Sequence, residues 1–193
     1  MGSHRAAVLF VQGGGEGAHD EWDNALVDSL RTGLGPAHEV RYPRMPYEGD
    51  PSYPRWSAAI GNEMARLDEG AVLAGHSIGG TILVQALIDR PPERKLAAIV
   101  LIAAPFVGGG GWPGDEFAFS GDLGDRLPPG VPVDGFRGAQ DETAPATHAM
   151  LYADAIPRAL VHVLAGRDHQ LNGDLSEVAL AILGLTLPDR TRS

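Results

Sequence analysis

Residues 71–80, Ala71-Val72-Leu73-Ala74-Gly75-His76-Ser77-Ile78-Gly79-Gly80, decide the fold. Residues 71–74 are a short apolar run closed by a glycine, which predicts a buried strand. Residues 79–89 place Ile82, Leu83, Ala86 and Leu87 on one face, which predicts a helix. Between the two, Gly75 to Gly79 spell G-x-S-x-G, a sharp strand-to-helix turn that lifts a serine hydroxyl above the carboxyl edge of a sheet. The turn crowds the positions two before and two after the serine, and Gly75 and Gly79 leave that space open. The helix N-terminus behind Ser77 offers unpaired N–H groups to developing negative charge, and the Ile78 N–H is one candidate oxyanion donor. The competing reading, a glycine-rich turn with an incidental serine, has no need of a strand before it and a helix after it; both are written here.

Working outward, strands and helices alternate. Residues 6–11 (AAVLFV) form a continuous apolar run ended by glycines, the pattern of a strand covered on both faces. Residues 21–34 carry Trp22, Leu26, Leu30 and Leu34 near helical spacing and stop at Gly35-Pro36. A strand follows at 38–42, a proline- and tyrosine-rich loop at 43–54, and a helix at 55–67 with Trp56, Ile60, Met64 and Leu67 inward. Residues 97–103 (AAIVLIA) predict the most buried strand. Residues 104–130 lack any sustained period and contain Gly108 to Gly111 and Pro128-Pro129-Gly130, so a long irregular surface excursion is expected. A strand at 131–136, a helix at 144–155, a strand at 159–164, a helix at 174–185 and a polar tail at 186–193 complete the chain. The alternation implies an α/β protein with a doubly wound, mostly parallel sheet of about six strands and helices on both faces.

The chain has 193 residues, 44% of them hydrophobic, which suits a single domain over 1–193. It contains no cysteine, so disulfides, thiolate metal sites and a cysteine nucleophile are ruled out. Its formal charge of −10 argues against a nucleic-acid partner or an anionic membrane surface. No stretch approaches the ~18 apolar residues of a membrane span, and the first residues show no targeting segment, so a cytoplasmic protein is expected. Gly2 to His4 read as a cloning remnant, and His4 is set aside. Lys95, the only lysine, lies in a polar proline-rich connection and is a poor candidate for lysine chemistry.

A serine hydroxyl attacks well only when a base removes its proton and a carboxylate holds that base in one tautomer. Beyond Ser77 the histidines are His148, inside a helix, His162, inside a strand, and His169, in the loop directly after the last strand. His169 alone is predicted at the sheet's carboxyl edge. For the acid, Asp141 follows the strand 131–136 at the same edge. Its neighbour Glu142 competes, Asp168 stands beside His169 in the chain, and the plain alternative for Asp141 is a helix cap. A second oxyanion N–H is expected from the glycine loop after the first strand, at Gly13 or Gly14. That loop also fits a loose dinucleotide fingerprint, Gly13-x-Gly15-x-x-Ala18, but the only carboxylate of the second strand, Glu39, lies at the wrong end to bind a ribose. His19, Asp20 and Asp23 form too loose a cluster to suggest a metal site.

With serine, acid and histidine in this order and the glycine loop ahead of them, the chain resembles the α/β-hydrolase superfamily over essentially its whole length. The Gly75 to Gly80 turn, Ala104-Pro105-Phe106 and Gly166-x-Asp168-His169 are similar to compact serine hydrolases without a cap domain, of the retinoblastoma-binding protein nine type. It departs from the common pattern at Gln12-Gly13, in place of His-Gly, and at Ala144-Pro145, in place of valine-proline. The resemblance implies a triad of Ser77, Asp141 and His169, no cofactor, no cap, and a small ester-like substrate cleaved through an acyl-enzyme. Trp112, Phe117 and Phe119 are candidates for an apolar acyl site, or else pack the excursion onto the sheet. The rival readings are a binding or regulatory protein that keeps the fold without strong catalysis and a nucleotide-binding oxidoreductase. Perhydrolysis or carbon–carbon bond hydrolysis would use the same three side chains.

Overall fold

The computed structural model describes residues 5–186, so the suspected cloning remnant and all but the first residue of the polar tail lie outside the described residues. The strands are β1 (Ala6–Val11), β2 (His38–Arg41), β3 (Val72–His76), β4 (Ala98–Ile102), β5 (Val133–Gly138) and β6 (Ala159–Leu164). The helices are α1 (Asp23–Leu34), α2 (Tyr53–Met64), α3 (Ser77–Asp89), α4 (Leu123–Arg126), α5 (Ala146–Ala155) and α6 (Ser176–Thr186). All strand pairings are parallel, in the order β2-β1-β3-β4-β5-β6.

The period of two along each strand divides the core into two layers. Leu9, Val11, Leu73, Ile99, Leu101 and Val133 face one way, against Trp56 and Ile60 of α2, Leu83 and Leu87 of α3 and Tyr152 of α5. Val8, Phe10, Val72, Val100 and Phe136 face the other way, against Leu26 and Leu30 of α1 and Val178 and Ile182 of α6. Every residue of β3 and β4 is buried; β4 reads as an unbroken apolar run, and β3 as an apolar run that ends in Gly75 and the polar His76. β6 and β2 are the two edges, and Leu160 and Val163 are exposed on β6.

The structure corrects the sequence reading in three places. β3 continues two residues past Ala74, so His76 is the last strand residue and the helix begins at Ser77 itself. Ahead of α1, residues Ala18–Trp22 form one wide π-helical turn after the left-handed Gly17 (φ 78°). That turn shifts the helical phase, so Trp22 is exposed and Asp23 takes the buried place expected for it. The stretch 104–130 is not a surface excursion throughout: Phe106, Val107, Phe119, Leu123 and Leu127 are buried, and α4 lies within it. Gly108, Gly109 and Gly110, all at positive φ, turn the chain back, and Phe119 N–H donates to the Val107 carbonyl. An irregular path fills a core without leaving a period to read.

Candidate active site

The parallel sheet gathers the loops that follow its strands at one edge. Ser77 has φ 51°, a left-handed backbone that non-glycine residues rarely adopt, and it persists because its neighbours fix it. A Cβ on Gly79 would lie 1.9 Å from the Gln12 carbonyl oxygen, and one on Gly75 would lie 2.5 Å from the Gly80 Cα. β1, β3 and α3 therefore meet backbone to backbone, and this contact raises Ser77 above the edge.

The loops after β5 and β6 are stitched together. Ala139 N–H donates to the Leu164 carbonyl and Gln140 N–H to the Arg167 carbonyl, each at 2.9 Å. A Cβ on Gly138 would fall 2.1 Å from the Arg167 oxygen, so only glycine lets the two loops approach so closely. The result is a chain of hydrogen bonds: the Ser77 hydroxyl donates to His169 Nε2 at 2.9 Å, and His169 Nδ1–H donates to Asp141 Oδ2 at 2.9 Å. Asp141 Oδ1 accepts the N–H groups of Thr143 and Ala144, both at 2.9 Å, in the loop ahead of α5. The helix itself starts at Ala146 after Pro145 with no side-chain cap, so Asp141 braces the loop and does not cap the helix. Burial pushes the Asp141 carboxyl up, but the His169 hydrogen bond and those two N–H groups outweigh it and hold the carboxyl below its usual value.

That depression carries a sign. Asp141 contributes its stabilisation in full above the unfolded carboxyl's pKa, about 4, and loses it as pH falls through the lower folded value. Asp141→Asn is expected to flatten this acid limb, measured as melting temperature between about pH 2 and pH 5; an unchanged limb would count against it.

The competing side chains lie elsewhere. His148 Nδ1 accepts the Phe106 N–H at 2.7 Å, and His162 stacks on Phe136 with ring centroids 4.4 Å apart. Glu142 is exposed, and Asp168 accepts the Asn172 N–H at 2.8 Å. A cleft of about 390 Å³ opens over Ser77, lined by Gly14, Trp22, Pro51, Ile78, Trp112 and Gln170 among others. Trp112 borders this cleft. Phe117 and Phe119 do not line it: Phe117 packs on Tyr53, and Phe119 is buried against Phe106 and Tyr152. Their aromatic area closes the core rather than the cleft.

The glycine loop also departs from expectation. Gly13 N–H donates to Asp23 Oδ2 at 2.6 Å and is not free for an oxyanion, because the π-helical turn brings Asp23 beneath it. Gly14, next in the chain, borders the cleft beside Ile78. Gln12 is fully buried; its Oε1 accepts the Met45 N–H at 2.9 Å and its Nε2 donates to Glu48 at 2.7 Å, while Gly15 N–H donates to the Glu48 carbonyl at 2.7 Å. The loop is thus anchored to the segment that follows β2. Asp23 and His76 escaped the sequence reading. Their signals were slight: a carboxylate in phase with Val27, Leu30 and Leu34 on a buried helix face, and a polar residue at the end of an apolar strand.

The architecture is the α/β-hydrolase fold. No sequence-family model matches the chain, and no curated protein sequence does. Among solved structures, 2-hydroxy-6-oxo-6-phenylhexa-2,4-dienoate hydrolase from Rhodococcus sp. strain RHA1 matches with a TM-score of 0.75 at 13% identity, over 95% of this chain and 91% of that one. Monoacylglycerol lipase from Paleococcus ferrophilus matches with a TM-score of 0.66 at 14% identity, over 93% and 94%. The esterase domain of a Rhodothermus marinus protein matches with a TM-score of 0.63 at 20% identity, over 93% and 83%. All three are hydrolases, and the likeness to them is one of fold. Among the described residues no helix is long and apolar enough to cross a membrane.

Proposed function

We propose that the protein is a serine hydrolase of the compact, uncapped kind that cleaves a small carboxylic ester or related acyl bond. One observation carries this reading: Ser77, held at φ 51° on the strand-to-helix turn, lies 2.9 Å from a histidine whose other nitrogen lies 2.9 Å from a carboxylate. In the reaction, Ser77 Oγ attacks the carbonyl carbon while its proton passes to His169 Nε2. The carbonyl π electrons move onto oxygen, which the N–H groups of Ile78 and Gly14 receive. Collapse of this intermediate expels the alkoxide, which takes the proton from His169 and leaves an acyl group on Ser77. Water then repeats the sequence and releases the acid. Asp141 keeps the His169 proton on Nδ1 and balances the imidazolium charge.

The cleft lining contains no lysine or arginine, and two tryptophans border it, which favours an uncharged acyl group over an anionic one. The nucleotide reading is disfavoured by charge. The Asp23 carboxylate occupies the N–H group of Gly13 that a phosphate would need, and would repel it. The test is incubation with a fluorophosphonate, followed by intact mass and peptide mapping. A single adduct on the peptide containing Ser77 is expected. No adduct at any concentration would turn the reading toward a protein that keeps the fold for binding. Ester turnover by the same sample separates acyl hydrolysis from carbon–carbon bond cleavage on the same side chains.

A further inference from the structure

Behind Ser77 and His169 lies a second histidine–carboxylate pair that the proposed reaction does not consume. The side chains of His76 and Asp23 are each 1% exposed. His76 Nδ1 lies 3.0 Å from Asp23 Oδ2, and His76 Nε2 lies 3.1 Å from the His169 carbonyl oxygen. A carbonyl only accepts, and so does an ionised carboxylate, so both ring nitrogens must carry hydrogen for both bonds to form. The ring that meets this condition is an imidazolium, with its counter-charge in contact. The same Asp23 oxygen accepts the Gly13 N–H at 2.6 Å. A continuous chain of hydrogen bonds therefore runs from the glycine loop, through the residue next to the nucleophile, to the backbone of His169.

We propose, resting on the serine-hydrolase reading above, that Asp23 and His76 form a positioning dyad whose doubly protonated ring holds the His169 loop and the glycine loop in register with Ser77. The packing leaves little slack, because a Cβ on Gly13 would meet His76 Nδ1 at 2.9 Å. The groups that face His76 are Asp23 from α1, Asp141 from the loop after β5 and the His169 ring from the loop after β6, whose centroid lies 5.1 Å away; the glycine loop meets it with Gly13. Burial opposes the charged ring, but the charge and hydrogen bond of Asp23, the His169 carbonyl and the charge of Asp141 outweigh it and raise His76 above the usual histidine range. A raised value means that the bracing is complete below the unfolded histidine's pKa of about 6.5 and is lost as pH rises through the folded value.

Asp23→Asn separates charge from shape. The amide oxygen can still accept from Gly13 and His76, but a neutral ring has only one hydrogen to share between Asn and the His169 carbonyl. The expected result is a fall in kcat of about 10- to 100-fold, by analogy with the partners that orient metal-binding histidines. KM should stay nearly constant, and the alkaline limb of kcat should move to lower pH. Nitrogen-15 NMR of the histidine rings in the unaltered protein and in Ser77→Ala reads the charge without turnover, and both His76 nitrogens should stay protonated above about pH 6.5, where an ordinary histidine loses its charge. A neutral His76 ring in a protein that fluorophosphonate labels would overturn the dyad alone, as would an Asp23→Asn enzyme with unaltered kcat and pH profile. A charged ring in a protein that no fluorophosphonate labels would overturn the hydrolase reading, and the positioning role with it.

Discussion

Replacing Ser77 by alanine is expected to lower ester turnover by a factor on the order of 10⁴ to 10⁶, because on the proposed mechanism the nucleophile, the base and the acid act as a unit and losing one disables the others. What remains is binding and oxyanion stabilisation by the N–H groups near Ile78, which survive the change. The fold should not register it. The lost hydroxyl gives up one hydrogen bond to a partly buried histidine, and alanine takes the same φ of 51° with no larger side chain to place. Turnover and melting curve should therefore separate: activity collapses, while the melting temperature stays within about 2 °C of the parent, a shift that corresponds to roughly 1 kcal/mol or less. A variant that keeps a tenth of the parent turnover, with labelling gone, would assign the turnover to some other group and end the proposed mechanism.

The second large effect concerns stability. Gly79→Ala would place a methyl group 1.9 Å from the Gln12 carbonyl oxygen and 2.9 Å from its carbon, where both neighbours are backbone and no rotamer offers an escape. β1 and α3 must move apart, so the expected cost is about 3 kcal/mol or more, at the upper end of overpacking effects. For a chain of this size that corresponds to roughly 6–12 °C in melting temperature. Gly61→Ala is the matched control. Gly61 also lies in a helix, α2, but nothing approaches within 4 Å of its added Cβ, so alanine should stabilise by about 0.5–1 kcal/mol through helix propensity alone. The same chemical change should thus move the melting temperature in opposite directions at the two positions. Equal shifts would mean that the contact at Gly79 does not constrain the fold.

Much of this architecture was legible because it is written in local pattern. The apolar runs at β1, at residues 71–74 and at β4 announce strands covered on both faces, and the glycine spacing around Ser77 announces the turn. His169 and Asp141 could be chosen without coordinates because a parallel sheet sends every strand's following loop to the same edge, so position after a strand is position in space. The remainder depends on contacts between distant residues. Asp23 and His76 are separated by 53 positions, and no local rule pairs them. Trp22 follows the helical phase of Leu26 and Leu30 on paper, yet the π-helical turn displaces it, because one wide turn resets the phase of what precedes it. Phe117 and Phe119 read as aromatic residues on an open excursion, and only the fold decides that they face Tyr53, Phe106 and Tyr152.

The order of the sheet has a consequence for how the protein is made. After β1 and β2, each new strand from β3 to β6 is added at the same growing edge in the order in which it leaves the ribosome. A nascent chain can therefore zip its sheet sideways as it emerges, with Ser77 in place early. Asp141 arrives with β5 and His169 only after β6, 92 residues behind the serine it contacts. On the proposed mechanism, a Ser77 hydroxyl presented early during synthesis stays inert until β6 and the loop after it have been laid down.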